Sequence, residues 1–542
     1  METVYLNGKV VTVDGRFTIA QAFAVRDGVF TAVGSSAELS GRPGPVVDLG
    51  GQTVLPGFID AHAHSVLRGI LDAAEPSLAG ATSVAEVAAR IGAAAAKAEP
   101  GAWIVPSPLG EPPDFFGLPG KWAEGRWPTR SDLDAVAPEN PVHIPTSVYW
   151  PHPAVLNSRA LELLELTDEP GLRIVRDASG EPTGLVHGLT PYRAESPAVR
   201  RMMALQPQLP VPARRAAIAR ALDENLALGV TSIYEGHANA FTADLQALHA
   251  TGRLACRVVA THEMPVAHPD PDAWLSSLPT TSGDDLLEMA GVTVSVDGPT
   301  HFGRALMHEP YLDPLDEPGN GVAALSTTDL TAIARLCVQH GIRLNVLASG
   351  DRAAEIAVTA LMAVHRETPL TGRNWVAQHF HHATREQIAC LAEMGMVAQT
   401  CAGVDYGRGE AAYVNRLPGK LWEQVAPMRW WLDAGVPVAT ASDATHHDPL
   451  FQLWAALTRV DGRTGRSRQT PAKTITCKEA VRALTMGGAA VLGRSARVGS
   501  IEPGKLADFV LLDRDVLTCP VKDLPTARVA ETFLGGELVF RR

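Results

Sequence analysis

The sequence predicts an α/β protein whose main body is a parallel (β/α)8 barrel of the TIM type. A small β-sandwich domain built from both termini and a long insertion after the first barrel strand complete the predicted architecture. Three observations lead to it: β-prone segments alternate with helical ones along the middle of the chain, both ends are rich in β-prone residues, and one connection is far longer than the others. At 542 residues the chain is also too long for one compact core.

The two ends of the chain, residues 1–56 and 491–542, carry the pattern of short strands joined by turns. Asn7-Gly8 and Asp27-Gly28 separate apolar runs in the first segment, and these dipeptides are typical of tight hairpins. The second segment contains similar runs around Phe509. Because chain termini often lie close together, we expect both segments to form one β-sandwich.

The barrel prediction depends on repeated strand–helix units in residues 57–66 and 229–490. In one unit Thr384 and Gln387 have the spacing of a capping box, Ile388 and Leu391 have helical spacing, and Gly395 is a predicted helix stop. Such units are typical of parallel strands, and a closed barrel of this type needs eight of them. The eight candidate strands end near His62, Glu235, Thr261, Asp297, Leu347, His379, Thr400 and Asp443.

The connection between the first two of these strands is about 170 residues long, which is too much for one helix. Residues 67–228 are therefore predicted to form an insertion or lid subdomain over the barrel mouth. The segment is rich in proline and in aromatic residues, which loosely favours an aromatic or apolar substrate. These aromatic residues include Trp103, Phe115, Phe116, Trp122, Trp127 and Trp150.

The composition argues against some classes of binding partner. A net charge of −12 argues against nucleic acid or an anionic membrane as the main partner, and no run of about 20 apolar residues is present. Six scattered cysteines without a Cys-X-X-Cys pair, and a first segment without a signal-peptide pattern, indicate a reduced, cytoplasmic protein. We expect a small-molecule substrate, and the sequence is compatible with a homodimer.

The most informative stretch of the chain is Gly57–Ser65, where an apolar run ends in His62 and His64. Side chains one residue apart on a strand point to the same side, so these imidazoles form a pair of candidate metal ligands. Hydrogen bonding at a strand end is the alternative for a single His-X-His pair. Polar residues at other strand ends favour the metal: Glu235, His379 and Asp443. An aspartate beside a metal-activated water can also accept its proton.

The chain resembles the amidohydrolase superfamily, and within it the branch that contains N-substituted formamide deformylase and the YtcJ-like proteins. The resemblance extends over nearly the whole chain, and its last motif is specific. It implies a barrel with a β-sandwich, a metal-dependent hydrolase and a proton carried by Asp443. The matching segments are Leu55–Ser65, Arg126–Asp134, His152 with Asn157-Ser158, Gly180–Gly184, Asp297-Gly298, Gly350–Ala353, Ala441–Ala444 and Gly499–Asp508.

Three positions depart from the pattern of that branch. Ser295 stands where a lysine that can bridge two metals is common, Leu347 stands where a histidine is common, and Gln378 replaces a frequent glutamate. A two-metal centre is therefore not expected. We predict one divalent ion, with zinc preferred. Its predicted ligands are His62, His64 and Asp443, with His379 as a ligand or as a partner of the metal water, and with Glu235 either replacing the lysine or forming a salt bridge.

The favoured function is hydrolysis of a carbon–nitrogen bond of amide type, outside peptides, in a small substrate. Asp443 is the predicted proton carrier, and His379 would stabilise the oxyanion or hold the metal. A single-metal decarboxylase or lyase, and a degenerate barrel without catalysis, are the alternatives. The predicted substrate-binding residues are His152, His446, Trp122 and His301; His237, His262 and His447 also follow strand ends, where solvent exposure is the simpler interpretation for each.

Overall fold

The computed structural model shows a parallel eight-stranded barrel, and the predicted fold class is confirmed. It describes residues 1–110, 118–146, 152–169, 171–193, 196–237, 239–265, 268–278, 282–312, 319–443 and 446–542. Phe115, Phe116 and Trp150 lie outside these ranges. The barrel strands, first to eighth, are Phe58–Asp60, Val230–Glu235, Arg257–Glu263, Leu287–Ser295, Leu344–Ala348, Val376–His379, Val397–Thr400 and Val438–Thr440.

Each barrel strand pairs in parallel with the next along the chain, as right-handed strand–helix–strand connections require. Val346 and Ala348 of the fifth strand face the core between strands and helices, where Leu330 and Ile333 pack. The alternate residues of that strand face the barrel interior. A short strand, Ser282–Gly283, pairs antiparallel with the fourth barrel strand.

The first and eighth strands are joined at their carboxyl ends by polar contacts. The Asp443 N–H donates to the His62 carbonyl at 3.2 Å. The Asp60 carboxylate accepts from the Ser442 N–H at 3.2 Å and from the Ser442 hydroxyl at 2.6 Å. These bonds fix the two loops that carry the predicted ligands relative to one another.

The helices of the barrel follow its strands, and several begin with the caps that the sequence predicts. Thr384 and Gln387 form a capping box, as do Ser326 and Asp329. None of the helices that the structure describes has the length and apolar character that a membrane crossing requires. The barrel helices are Val211–Ala227, Thr242–Ala250, Pro271–Ser277, Thr327–His340, Asp351–Glu367, Arg385–Glu393, Val404–Arg408, Met428–Asp433, Pro449–Thr458, Cys477–Ala483 and Met486–Leu492.

The shorter turns of helix lie between these elements. Among the residues that the structure describes, five are of the 3-10 type and one is a π-helical segment that continues directly from Val404–Arg408. The 3-10 turns are Pro191–Arg193, Asn239–Phe241, Thr300–Phe302, Leu421–Gln424 and Val521–Thr526, and the π segment is Gly409–Val414.

Both termini build one β domain, because Phe509–Leu512 pairs antiparallel with Thr53–Pro56. Its aromatic core includes Phe509 stacked on Phe533, with ring centroids 4.3 Å apart. One sheet has the order Val29–Gly34, Ala22–Arg26, Thr3–Leu6, Val46–Asp48, next to the helix Ser36–Leu39; the other has the order Glu537–Arg541, Val529–Leu534, Phe509–Leu512, Thr53–Pro56, Lys9–Val11, Ile19–Ala20.

The insertion folds around its own four-stranded antiparallel sheet and has its own hydrophobic clusters. Asn157 ties its segments together by donating to the carbonyls of Ala137 and Asn140. Its strands have the order Arg173–Arg176, Pro182–His187, Ala154–Leu156, His143–Ile144, and its helices are Ser65–Asp72, Val84–Ala95, Arg130–Asp134, Ser158–Leu164 and Pro197–Leu205.

A buried ion cluster supports the segment that follows the seventh strand. Asp405 accepts from Arg459 Nη1 at 3.1 Å and from Lys473 Nζ at 3.0 Å. The two cations are fully buried and the carboxylate is 2% exposed. One carboxylate therefore pairs with two cations that have no access to water.

The Asp405→Asn variant should be strongly destabilised, because it leaves both buried cations without a counter-charge. We expect a loss of about 3–5 kcal/mol in unfolding free energy, measured by urea denaturation. Glu367→Gln is the control, since the Arg335–Glu367 pair is about half exposed on both sides and should leave the midpoint unchanged. Equal midpoints for the two variants would contradict this account.

Candidate metal centre

The carboxyl-terminal mouth of the barrel brings together four of the predicted ligands. His62 and His64 follow the first strand, His379 ends the sixth, and Asp443 follows the eighth. The His62 and His64 Nε2 atoms lie 3.7 and 3.4 Å from Asp443 Oδ1. The ring centroids of His62 and His379 are 4.7 Å apart. Imidazole and carboxylate donors that converge in this way are typical of a catalytic zinc site.

The donor atoms of the described residues fall into three groups that could each hold an ion. Within each group the ligand atoms lie within 4.8 Å of one another. His379 Nδ1 is buried and lacks a hydrogen-bond partner, so a cation can use it without displacing a bond. The donor chemistry therefore fits a zinc-class ion. The groups are His62, His64, His237; His62, His379, Asp443; and His379, His381, Cys401.

His237 is a donor whose place in the centre the sequence did not single out. Its ring stacks on His64 with centroids 5.5 Å apart and an interplanar angle of 7°. Its Nδ1 atom lies 3.1 Å from Glu263 Oε1. The sequence did contain a signal for His237. Polar residues two positions apart, Glu235 and His237, lie at the end of the second strand, as His62 and His64 lie just after the first.

The Asp443 carboxylate is held in its ionised form. Burial alone would raise its pKa, but a hydrogen bond to His64 and nearby positive charge hold the pKa of Asp443 well below its usual range. Arg408, which is 3% exposed, contributes that charge with Nη1 3.5 Å from Asp443 Oδ2. A carboxylate that stays ionised at neutral pH can bind a cation or accept a proton.

Two histidines of the centre, His62 and His379, are neutral, because burial disfavours their charged forms. It lowers the pKa of His379 to about 4 and that of His62 well below 6.5. Metal ligation requires a neutral imidazole, so both rings are in the form that binds. The side chains of His64 and Asp443 are 13% and 14% exposed, so solvent reaches this side of the centre.

The backbone at two of these residues adopts an uncommon conformation. The φ angles of His379 and Asp443 are 68° and 42°, in the left-handed region. Residues without a glycine's freedom are held there only when the surrounding structure compensates for the strain, and such residues cluster at functional sites. For Asp443 that support includes the bond from its N–H to His62.

Gln378 orients the first ligand. Its Oε1 atom lies 3.0 Å from His62 Nδ1, which leaves His62 Nε2 directed towards Asp443. Gln378 is fully buried. A hydrogen bond to the far nitrogen of a ligating histidine fixes the ring and its tautomer. The amide at this position therefore keeps the positioning role that a carboxylate could also play.

Ser295 and Leu347 face each other across the fourth and fifth strands. Leucine has no donor atom, and neither residue belongs to any of the three groups found among the described residues. The barrel interior here holds an uncharged hydroxyl network instead. In it Tyr234 Oη lies 3.0 Å from Thr293 Oγ1 and 3.2 Å from Thr261 Oγ1.

Glu235 lies at a helix N-terminus and outside the three donor groups. Its Oε1 atom accepts from the Val66 N–H at 3.0 Å, at the start of the helix Ser65–Asp72. Burial raises the pKa of Glu235 to about 8. The side chain thus stays protonated at neutral pH while it caps the helix that follows the first strand.

The predicted substrate-binding residues occupy different places. Trp122 is buried in the insertion core, where its indole N–H donates to the Ala81 carbonyl. His152 lies in the insertion with its ring 4.7 Å from Trp127. His446 follows the eighth strand and stacks on Phe451, with centroids 3.9 Å apart. His301 is buried in the turn Thr300–Phe302 after the fourth strand.

The family model for the amidohydrolase family matches residues 45–540. The chain belongs to this family. Its eight-stranded barrel, its terminal β domain and its strand-end histidines are therefore those of an amidohydrolase family member. The predicted resemblance is confirmed.

Three curated relatives align over most of their own length. N-substituted formamide deformylase of Arthrobacter pascens is 28% identical and covers 100% of this chain and 98% of its own. The putative amidohydrolase YtcJ of Bacillus subtilis is 24% identical with 100% of both chains covered. Protein LONG AFTER FAR-RED 3 of Arabidopsis thaliana is 27% identical and covers 98% of this chain and 91% of its own.

The fold is also that of solved structures. An uncharacterized metal-dependent hydrolase from Pyrococcus horikoshii superposes with a TM-score of 0.74 at 24% identity, over 96% of this chain and 99% of that one. A zinc complex of the atrazine chlorohydrolase TrzN from Arthrobacter aurescens has a TM-score of 0.55 at 16% identity, over 99% of this chain and 94% of that one. At these identities the likeness shows the shared fold.

Replacing Gln378 by leucine should weaken metal binding, because His62 then loses the bond that orients its ring. We expect a 10–100-fold loss of zinc affinity, measured by competition with a chromophoric chelator. Gln52→Leu, at an exposed position in the terminal β domain, should bind zinc like the wild type. Wild-type affinity in Gln378→Leu would show that the bond does not position the ligand.

Glu235 should make the metal-free protein less stable as the pH rises. Its pKa is 4.5 in the unfolded chain and about 8 in the folded chain, so between these values only the folded state holds the proton. The unfolding free energy then falls with rising pH, by up to about 1.4 kcal/mol per pH unit. Glu235→Gln, which has the shape of the neutral acid, should reduce this slope in urea denaturation across the window; an unchanged slope would contradict the assignment.

Proposed function

We propose that this chain is a hydrolase that cleaves a carbon–nitrogen bond of amide type, outside peptides, in a small substrate. Membership of the amidohydrolase family supports hydrolysis. The observation that carries the proposal is the ionised Asp443 carboxylate, which lies within 3.4–3.7 Å of two imidazoles and of Arg408. The name of the Arthrobacter pascens relative makes N-substituted formamides the first substrates to test.

One catalytic divalent ion, zinc by the chemistry of its donors, would be held by His62, His64 and Asp443, whose donor atoms converge at the barrel mouth. When bound, such an ion polarises a carbonyl and lowers the pKa of water towards 7. Three protein ligands with an open position are the usual arrangement of a catalytic zinc.

The residues of the chain supply the proton transfers. Asp443 accepts a proton from the attacking water and delivers it to the leaving nitrogen, so that water adds across the bond and an acid and an amine are released. Arg408 lowers the cost of returning Asp443 to its ionised form. His379, neutral at the pH of the reaction, donates a ring N–H towards the developing oxyanion.

The insertion is proposed to cover the barrel mouth, since the chain enters it at the metal-bearing end of the first strand. His152 and His446 remain the candidates for substrate contact. Trp122 is a weaker candidate for contact with an aromatic substrate, because its ring is part of the insertion core.

Asp443→Asn should separate proton transfer from metal binding. Asparagine keeps the shape and one oxygen but cannot carry the proton, so we expect turnover of the active amide to fall by about 10²–10⁴-fold with most of the metal retained. The measurement is acid and amine release across a panel of formamides and other small amides, with metal content by elemental analysis. His308→Ala, at a half-exposed histidine away from the centre, is the control.

Two results would contradict the proposal. Near-wild-type turnover in Asp443→Asn would exclude the aspartate as proton carrier. Release of carbon dioxide, or no release of amine from any amide by a fully metallated protein, would favour the decarboxylase or the non-catalytic barrel.

A further inference from the structure

We propose that His379, His381 and Cys401 form a second metal site, which takes a zinc-class ion through two imidazoles and a thiolate. The proposal goes beyond the proposed function, in which the catalytic ion is held on the His62 and Asp443 side. It raises the expected metal content from one ion to two per chain.

The three side chains meet because their strands are neighbours. His379 ends the sixth strand, Cys401 directly follows the seventh, and Gln378 pairs with Gln399 in parallel register. His381 lies two residues beyond His379, and their ring centroids are 5.1 Å apart. One ligand atom from each of the three residues lies within 4.8 Å of the other two.

The imidazole of His381 is buried without a hydrogen-bond partner. His381 is 4% exposed, and both its ring nitrogens are buried without a hydrogen-bond partner. A buried polar atom without a partner is unfavourable. His62, in the neighbouring group, has its Nδ1 atom bonded to Gln378. An ion bound to His381 would satisfy one of the two nitrogens.

This site differs from the first in having a sulfur donor. Cys401 is fully buried, and Gln399 Nε2 lies 3.2 Å from its Sγ atom. Burial raises the pKa of the Cys401 thiol, while the positive charge of Arg408 acts in the opposite direction. Binding of the ion would therefore release the thiol proton. Cys256 and Cys337 are equally buried, but they belong to none of the three donor groups found among the described residues.

The donor set selects the class of ion. Nitrogen and thiolate ligands suit zinc and other borderline or soft cations, and disfavour magnesium and calcium. Zinc bonds of about 2.0–2.3 Å place neighbouring ligand atoms of a tetrahedral site roughly 3.3–3.6 Å apart. Donor atoms within 4.8 Å of one another would have to approach by at most about 1.5 Å to reach this geometry. A water can supply the fourth ligand.

The second site does not involve the positions of the family departures, Ser295 and Leu347. Those positions lie on the fourth and fifth strands, whereas the new donors come from the sixth and seventh. An ion at His379, His381 and Cys401 would therefore lie in a different part of the barrel mouth from an ion bound at positions 295 and 347.

Cobalt is the probe, because a cobalt–thiolate bond has a charge-transfer absorption that imidazole and carboxylate ligands lack. Metal-free wild-type protein titrated with Co²⁺ should bind two equivalents and develop this band. Cys401→Ala should bind one equivalent and show no band. Cys337→Ala, which removes a thiol of equal burial from the core, should behave like the wild type.

Three results would overturn the proposal: no thiolate band in the wild type, a band that persists in Cys401→Ala, or two equivalents bound by Cys401→Ala. His381→Gln serves as a second variant and should also lose one equivalent, with circular dichroism verifying its fold. His64→Ala should lose the first equivalent and keep the band. Failure of amide hydrolysis with an intact band would therefore count against the proposed function alone.

Discussion

The Asp60 carboxylate fixes the seam between the first and eighth barrel strands, and the metal centre depends on that seam. Its bonds to Ser442, together with the bond from the Asp443 N–H to His62, lock two ligand-bearing loops whose residues are almost 400 positions apart in the chain. The donors thus have a defined geometry before any ion binds. Preorganisation of this kind reduces the cost of assembling a charged site.

The same arrangement gives neighbouring groups of the site different protonation states. Burial makes the imidazoles of His62 and His379 neutral, while the Arg408 charge and the His64 hydrogen bond keep Asp443 ionised. The opposite effects on nearby groups produce a site with neutral donors and one carboxylate. Such separation of protonation states is what hydrolysis by an activated water requires.

The barrel could be predicted from the sequence because its signals are local. Apolar runs, capping boxes such as Thr384 with Gln387, and glycine stops identify each strand–helix unit without knowledge of the rest of the chain. The pair His62 and His64 was recognisable for the same reason, since strand alternation alone puts both on one side.

The rest of the centre depends on long-range packing. Cys401 and His381 meet because the sixth and seventh strands are adjacent and in register, which no local pattern reveals. Arg408 reaches Asp443 from a helix that the buried Asp405 cluster supports. A tryptophan in an insertion suits a lid and a core equally well, so the sequence alone did not reveal that Trp122 packs in the insertion core.

The donors at the barrel mouth are proposed to hold an ion between the first and eighth strands. The decisive experiment is a crystal structure of the zinc-loaded protein with anomalous diffraction at the zinc edge. We expect an anomalous peak within bonding distance, about 2.0–2.2 Å, of His62, His64 and Asp443. A zinc-saturated crystal with ordered side chains and no peak at these residues would contradict it.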